Sequence, residues 1–256
     1  MIAVAELLAK AIQFLGERRE AEELLAHVLR CKRMELYLQF DRPVDEAEVA
    51  TFRELVKRRK GGEPIGYLVG EVEFYGAKIR VDRRVLIPRP ETELLVDLVA
   101  KKRPEGTLFD LCTGSGCIAI ALKMRFPKLR VVGVDLSEEA LEVARENGRA
   151  NGVEVEWRQG DFLEAVRGET VDWLVSNPPY VTESEWAALD PSVRDFEPKM
   201  ALVGGLAFYE RLKGWKGKFF VEIGADQGPD VQKMFPGSVL HRDWTGRDRF
   251  ISLEAE

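Results

Sequence analysis

The chain has 256 residues, 45% of them hydrophobic, and a formal net charge of −6, a size that accommodates one full core with a small accessory domain. The negative charge disfavours direct nucleic-acid binding, and three scattered cysteines without a CxxC pair argue against a disulfide framework or a zinc site. Because no apolar run approaches about 18 residues and Glu6 and Lys10 interrupt the first one, we predict a cytoplasmic protein without signal peptide or membrane span.

The first 63 residues are predicted to form a small helical domain. Two runs of apolar residues recur at helical spacing, Leu7, Leu8, Ala11, Ile12 and Leu15 in the first and Leu24, Leu25, Val28 and Leu29 in the second. Asp45 and Glu48 have the spacing of a capping box at the start of a third helix, which Gly61 would end. Since basic and acidic residues are equal in number here, we expect this domain to dock a protein substrate.

Residues 64–88 are predicted to form a β-hairpin linker, because apolar and polar residues roughly alternate and glycines interrupt the pattern. The apolar members are Tyr67, Val69, Val72, Phe74, Ile79, Val81 and Val85. A helix is predicted to start at Glu91, since a preceding proline and acidic residues in the first turn both favour a helix start.

Residues 89–256 are predicted to form an α/β catalytic domain, because strands and helices alternate from Thr107 onward, as in a mostly parallel sheet covered on both faces. The last two strands are too close for a helical crossover and should form an antiparallel edge hairpin. The result is a Rossmann-like sheet of seven strands. The predicted strands are Thr107–Leu111, Arg130–Asp135, Val153–Trp157, Val171–Ser176, Lys218–Ile223, Ser238–Arg242 and Arg249–Leu253, and the helices are Cys117–Arg125, Glu138–Ala150, Ala207–Lys213 and Gln227–Phe235.

A glycine-containing turn, Asp110-Leu-Cys-Thr-Gly-Ser-Gly116, follows the first strand of this sheet. Its glycines permit a tight turn and the close approach of a ligand, and the next helix offers free N–H groups to an anion. A purely structural turn would also explain two glycines. The residues of the predicted cofactor loop are Cys112, Thr113, Gly114, Ser115 and Gly116.

Acidic residues follow the next two strands. Asp135 ends the second strand, where a carboxylate can accept both hydroxyls of a ribose. After the third strand, Asp161 could accept from an adenine amino group while Phe162 covers the ring. These features fit NAD, another nucleotide or S-adenosylmethionine, because Ala119 in the third glycine position is an accepted variant of a dinucleotide-binding loop.

The tetrapeptide Asn177-Pro-Pro-Tyr180 leaves the fourth strand, at the edge where open α/β sheets bind ligands. Two prolines fix the backbone and donate no N–H, so Asn177 and the Pro178 carbonyl remain as acceptors in a stiff loop. Such a pair suits a planar NH2 group held for reaction at its nitrogen. A dehydrogenase has no evident use for it, whereas a methyl donor requires a positioned nitrogen, which favours S-adenosylmethionine.

Together these motifs resemble the class I S-adenosylmethionine-dependent methyltransferases and, more narrowly, the release factor glutamine methyltransferase (PrmC or HemK) family. The resemblance runs nearly end to end, although Cys112 stands where the family more often has glycine. The segment Ile87–Glu93, together with the helical N-terminal domain, is more specific than the Asn-Pro-Pro-Tyr motif, which adenine and guanine N-methyltransferases share. The matching segments are 62–67, 73–76, 85–93, 110–122, 175–181, 197–198, 201–205 and 222–224.

The resemblance implies methyl transfer from S-adenosylmethionine to the side-chain amide nitrogen, N5, of the GGQ-loop glutamine in class 1 peptide-chain release factors. The loop Cys112–Gly116 would hold the cofactor, Asp135 its ribose, and Asp161 with Phe162 its adenine end.

The resemblance also implies that the tetrapeptide Asn177-Pro-Pro-Tyr180 binds the substrate glutamine. Asn177, which we also assign to the cofactor site, and the Pro178 carbonyl would accept from the glutamine NH2. Pro179 and Tyr180 would complete the pocket, and Asn177, Pro178 and Tyr180 are assigned to catalysis. His27 and His241 are interpreted as structural, so no general base or metal is expected.

Three alternatives remain open from the sequence. The nearest is methylation of a glutamine in ribosomal protein L3, which shares the chemistry; the Pro88–Glu93 segment favours the release factor. An N-methyltransferase acting on a nucleic-acid base would have to grip phosphates, which the net charge of −6 disfavours. A non-catalytic S-adenosylmethionine-binding protein would have no use for the intact tetrapeptide. We expect a monomer with a release factor as its protein partner.

Overall fold

The computed structural model describes residues 2–254 in two compact units. The first unit comprises the chain up to Gly70 together with Asp190–Phe196, and the second comprises Glu71–Leu189 and the chain from Glu197 onward. Among the described residues no helix is both long and apolar enough to cross a membrane. The first unit begins with strand β1 (Ile2–Ala3), α1 (Val4–Leu15), α2 (Arg18–Val28), a 3₁₀ helix (Arg33–Leu38), β2 (Pro43–Val44), α3 (Glu46–Lys60) and α4 (Ile65–Val69).

The predicted capping box at the start of α3 is confirmed. The Asp45 carboxylate accepts from the Glu48 N–H at 2.7 Å, and the Glu48 carboxylate accepts from the Asp45 N–H at 3.2 Å. Phe52, Leu55 and Val56 bury the inner face of α3 in the core of the unit. The helix ends at Lys60, before Gly61, as predicted.

The prediction that the hairpin includes Tyr67 and Val69 is wrong, because both residues lie in α4. Pro64 precedes this helix, and Gly70 ends it in the left-handed conformation (φ 81°) while donating to the Gly66 carbonyl at 2.8 Å. Leu68, at 6% exposure, packs into the helical core. The hairpin itself is shorter than predicted and consists of β3 (Glu71–Phe74) and β4 (Ala77–Arg80).

The second unit is built on the predicted seven-stranded sheet, which runs in the order β10-β11-β9-β8-β5-β6-β7. Strands β5 to β9 are parallel, and β11 is antiparallel to both β9 and β10, which confirms the edge hairpin. The strands are β5 (Thr107–Leu111), β6 (Arg130–Asp135), β7 (Glu156–Gln159), β8 (Trp173–Ser176), β9 (Lys218–Glu222), β10 (Val239–Arg242) and β11 (Asp248–Leu253).

Helices cover the sheet and connect its strands. The short helices α8 to α10 were not predicted, and α10 belongs to the first unit. The helices are α5 (Pro90–Lys101), α6 (Cys117–Arg125), α7 (Glu138–Ala150), α8 (Phe162–Ala165), α9 (Glu183–Ala188), α10 (Pro191–Arg194), α11 (Ala207–Leu212) and α12 (Gly228–Met234), with a 3₁₀ turn at Lys199–Ala201.

Strand β7 starts at Glu156 rather than at the predicted Val153, because pairing with β6 begins where Glu156 faces Val132. Its Trp157 ring fills a slot between β6 and the start of α6. A Cβ atom on Gly133 would lie 2.4 Å from that ring, and one on Gly116 would lie 2.7 Å from it. Glycine at these positions therefore lets the indole pack directly beneath the predicted cofactor loop.

Candidate active site

Loops from four neighbouring parallel strands meet at the carboxyl edge of the sheet and enclose one pocket. Four predicted cofactor residues, one from β5, one from β6 and two from β7, lie there together with Pro179 from the loop after β8. The lining residues are Cys112, Val134, Asp135, Leu136, Gly160, Asp161, Phe162, Pro179, Gly204, Ala207, Phe208 and Arg211.

The other predicted loop residues, Thr113 to Gly116, sit behind Cys112 and are held from below by Asp110. The Thr113 hydroxyl donates to Asp110 Oδ2 at 2.5 Å, and the Ala119 N–H donates to the same oxygen at 3.1 Å. Burial raises the pKa of Asp110 to about 7. Cys112 lies in the left-handed region with φ 56°, a conformation that favours glycine. The side chains of Thr113 and Ser115 are buried, so this loop presents mainly backbone.

Asp135 ties the loops after β5 and β6 together. Its Oδ2 accepts from the Gly114 N–H at 2.8 Å, and its Oδ1 accepts from the Ser137 N–H at 3.0 Å. Burial raises the pKa of this carboxyl group, although both N–H donors oppose the shift. Each carboxylate oxygen can accept a second hydrogen bond. A ligand with adjacent hydroxyl groups could therefore bind at Asp135 without displacing either backbone contact.

The far end of the pocket is apolar on one side and charged on the other. The Phe162 ring packs against Phe208 with centroids 4.6 Å apart. The Arg211 guanidinium lies 4.8 Å from the Phe162 ring centroid and donates to Asp161 Oδ1 at 2.5 Å. Leu136 is 59% exposed at this edge. The sequence analysis did not identify Leu136 or Arg211. Leu136 could have been found, because it is an apolar residue directly after Asp135, the acidic residue that ends β6.

Asn177 is held by side chains from two other elements. Its Nδ2 donates to Thr92 Oγ1 at 3.2 Å, and Thr92 Oγ1 donates to Glu222 Oε2 at 2.8 Å. The Tyr180 hydroxyl donates to Glu222 Oε1 at 3.1 Å. No donor among residues 2–254 reaches Asn177 Oδ1 or the Pro178 carbonyl oxygen. Both predicted acceptors therefore lack a partner within the described chain. Asn177 is half-buried and Pro178 is buried, and of the tetrapeptide only Pro179 lines the pocket.

The end of the tetrapeptide loop is fixed by the segment that precedes α11. The Val181 carbonyl accepts from the N–H groups of Gly204 at 3.0 Å and Gly205 at 3.1 Å, and the Gln227 side chain donates to the Tyr180 carbonyl at 2.7 Å. A Cβ atom on Gly204 would lie 2.3 Å from the Pro179 carbonyl oxygen. The loop therefore has little room to shift.

We expect Gly204→Ala to lower kcat by about tenfold, or about 1.4 kcal/mol in the activation barrier, because the added Cβ displaces the Pro179 backbone. Overpacking of this kind also lowers folding stability by about 1–3 kcal/mol. Gly148→Ala in α7 is the matched control, since its Cβ would meet no atom closer than 3.5 Å and alanine is favoured over glycine inside a helix. Steady-state kinetics and a thermal unfolding curve for each variant separate the effect on kcat from the effect on folding stability. Equal kcat values for both variants would contradict this prediction.

Two protein-family models match the chain. The model described as Methyltransferase small domain matches residues 90–190, and the model described as PrmC N-terminal domain matches residues 6–70. The first match contains the loops after β5, β6, β7 and β8, and the second falls within the helical unit.

Curated proteins match over nearly the full length. A release factor glutamine methyltransferase of Chlorobaculum tepidum is 38% identical, with 99% of this chain aligned to 98% of that protein. Its counterpart in Bacillus cereus is 37% identical, with 99% of each chain aligned. Among solved structures, the hMettl16 catalytic domain in complex with the MAT2A 3′UTR hairpin 6 is 12% identical, covers 83% of each chain and has a TM-score of 0.54. That last likeness is one of fold alone.

Proposed function

The chain belongs to the release factor glutamine methyltransferase family, and we propose that its loop from Asn177 to Tyr180 holds the reacting glutamine. The enzyme transfers a methyl group from S-adenosylmethionine to a glutamine of a release factor, as the sequence resemblance predicted. We assign the methyl acceptor to N5 of the GGQ-loop glutamine in class 1 release factors. The names of the curated relatives favour this substrate over ribosomal protein L3.

The observation that carries the proposal is a pair of acceptors on a rigid loop that no donor of residues 2–254 contacts. A glutamine NH2 group has two hydrogens, and Asn177 Oδ1 and the Pro178 carbonyl can accept one each. An amide nitrogen is a weak nucleophile because its lone pair is delocalised into the carbonyl group. Holding both hydrogens orients the nitrogen and stabilises the positive charge that develops on it during transfer. Orientation of this kind contributes up to about 7–11 kcal/mol in favourable model reactions.

We propose that S-adenosylmethionine binds in the pocket described above, where it supplies a methyl group on an electrophilic sulfonium. The lining suits a nucleoside, because the Asp135 carboxylate lies beside an apolar wall that includes Leu136 and Phe162. In this proposal Asp135 accepts from the ribose hydroxyls. The Asp161 and Phe162 end receives the adenine, and Pro179 marks the side of the pocket where the tetrapeptide loop meets it.

No histidine is assigned to proton removal. His241 lies on β10, at the opposite edge of the sheet from β7, and its Nε2 is 2.8 Å from Ser252 Oγ on β11. Burial lowers the pKa of His241. Once N5 carries the methyl group it is far more acidic than the neutral amide, so the proton can pass to water after transfer.

We propose that the helical unit docks the release factor through a groove between α1 and α3. Phe14, 52% exposed, borders this groove together with Phe52 and Val56. Lys57 is among its cationic rim residues, with Lys10 and Arg53. An apolar groove with a cationic rim is complementary to an acidic amphipathic segment, and we assign that chemistry to the docking region of the release factor.

The experiment that tests the proposed function is mass spectrometry of a purified class 1 release factor after incubation with the enzyme and S-adenosylmethionine. We expect one added methyl group, located by fragmentation on the GGQ glutamine. A release factor in which that glutamine is alanine is the control and should gain none. Ribosomal protein L3 as competitor should not slow the reaction. Methylation of L3 in preference to the release factor would refute the proposal.

A further inference from the structure

One buried carboxylate supports both ends of the tetrapeptide loop. Glu222 ends β9 and is 1% exposed. Its two oxygens accept from Thr92 at 2.8 Å and from Tyr180 at 3.1 Å. Its backbone carbonyl accepts from the Tyr209 hydroxyl at 2.7 Å. The carboxylate is thus fixed from several sides, directly behind Asn177 and Tyr180.

The charge on Glu222 sets the direction of the hydrogen bonds that lead to Asn177. An ionised carboxylate is only an acceptor, so Thr92 gives it its single hydroxyl proton. The Thr92 oxygen then has only lone pairs to offer and must accept from the Asn177 NH2 group. The Asn177 amide is therefore held with Nδ2 toward Thr92 and Oδ1 turned away. Oδ1 is the atom that the proposed function requires as an acceptor.

We infer that Thr92 and Glu222 are positioning residues that keep the Asn177 carboxamide in its reactive orientation. This inference rests on the proposed function, because it gives Asn177 Oδ1 the task of accepting from the substrate amide. It adds two residues, from α5 and β9, that make no direct contact with the glutamine in the proposed arrangement. Their effect on the reaction passes through Asn177 and Tyr180.

The orientation should depend on pH. Burial raises the pKa of Glu222 to about 7, while the hydroxyls of Thr92 and Tyr180 and the Arg249 charge oppose the shift and Glu91 adds to it. Tyr209 and Cys117 also face this carboxyl group. Below about pH 7 a protonated Glu222 can donate to Thr92, whose own proton is then free to donate to Asn177 Oδ1. The amide can then flip, so kcat should fall as the pH falls.

Two substitutions test the inference on the full-length enzyme, with release factor and S-adenosylmethionine both saturating. Thr92→Val should lower kcat about fivefold to tenfold without changing cofactor affinity, and Thr92→Ser should restore most of the loss. Thr107→Val at the amino end of β5 is the matched control and should keep wild-type kcat. Glu222→Gln should lower kcat at pH 8 and remove its fall between about pH 8 and 6.

The outcomes separate this inference from the proposed function. A wild-type enzyme that leaves the release factor unmethylated refutes the proposed function itself. If the wild-type enzyme is active, wild-type kcat in Thr92→Val overturns the inference alone. An unchanged pH profile in Glu222→Gln also overturns it and transfers the titration to another group, such as Asp110, whose pKa is also raised to about 7. Should Thr92→Val fail to fold, the pH profile of Glu222→Gln still decides the question.

Discussion

We expect Asn177→Ala to lower kcat by about 100- to 1000-fold, the range found when one preorganised hydrogen-bonding group is removed from a transition-state site. The variant loses the Oδ1 acceptor and leaves only the Pro178 carbonyl to hold the substrate NH2. The dissociation constant of S-adenosylmethionine should change by no more than a few fold, because the residues assigned to its ribose and adenine lie on other loops. Single-turnover methyl transfer and equilibrium binding measure the two quantities separately.

The matched control for this variant is Asn151→Ala. Asn151 directly follows α7 and bonds through its side chain to the backbone of Lys78, with Oδ1 accepting at 3.1 Å and Nδ2 donating at 2.8 Å. Its loss should reduce thermal stability and leave kcat unchanged. If Asn177→Ala keeps wild-type turnover on a release factor, the tetrapeptide does not hold the amide, and the proposed function loses its main support.

The sheet could be predicted from sequence because its pattern is local. The bounds of β5, α6, β6 and α7 match the predictions to the residue. Apolar runs define the two strands and α6, and Ser137 caps the start of α7. The prediction failed at α4, a short helix that starts after Pro64 and ends before Gly70. The alternation of Tyr67 and Val69 with other residues had indicated a β-strand there. The start of β7 was also misplaced, because it depends on register with β6 rather than on its own apolar residues.

The residues that we propose for the cofactor were more predictable than those that support Asn177. Asp135 and Asp161 follow parallel strands, and such residues must gather at one edge. Thr92 lies on a helix, and only the fold brings it against Asn177, 85 positions along the chain. Glu222 ends β9 in the same way that Asp135 ends β6, so the strand-end rule would have identified it. Arg211 was not predictable, because its partners Asp161 and Phe162 become its neighbours only through packing.

Replacement of Asp135 with alanine should raise the dissociation constant of S-adenosylmethionine about 10- to 100-fold, since hydrogen bonds to a charged group contribute about 1.5–3 kcal/mol. At saturating cofactor the loss in kcat should be smaller. Asp172→Ala is the matched control: its carboxylate accepts from the Thr107 N–H at 2.7 Å at the amino end of β5, far from the pocket at the carboxyl edge. Isothermal titration calorimetry of all three proteins measures the effect.

A weaker affinity in Asp135→Ala could arise in two ways, because the carboxylate also anchors the N–H groups of Gly114 and Ser137. An S-adenosylhomocysteine analogue without a ribose hydroxyl distinguishes them. If Asp135 accepts from that hydroxyl, the wild-type protein should bind the deoxy analogue more weakly than S-adenosylhomocysteine, whereas the variant should bind both equally. A penalty for the missing hydroxyl that persists undiminished in Asp135→Ala would mean that Asp135 acts only by holding the loop, and the ribose assignment would be wrong.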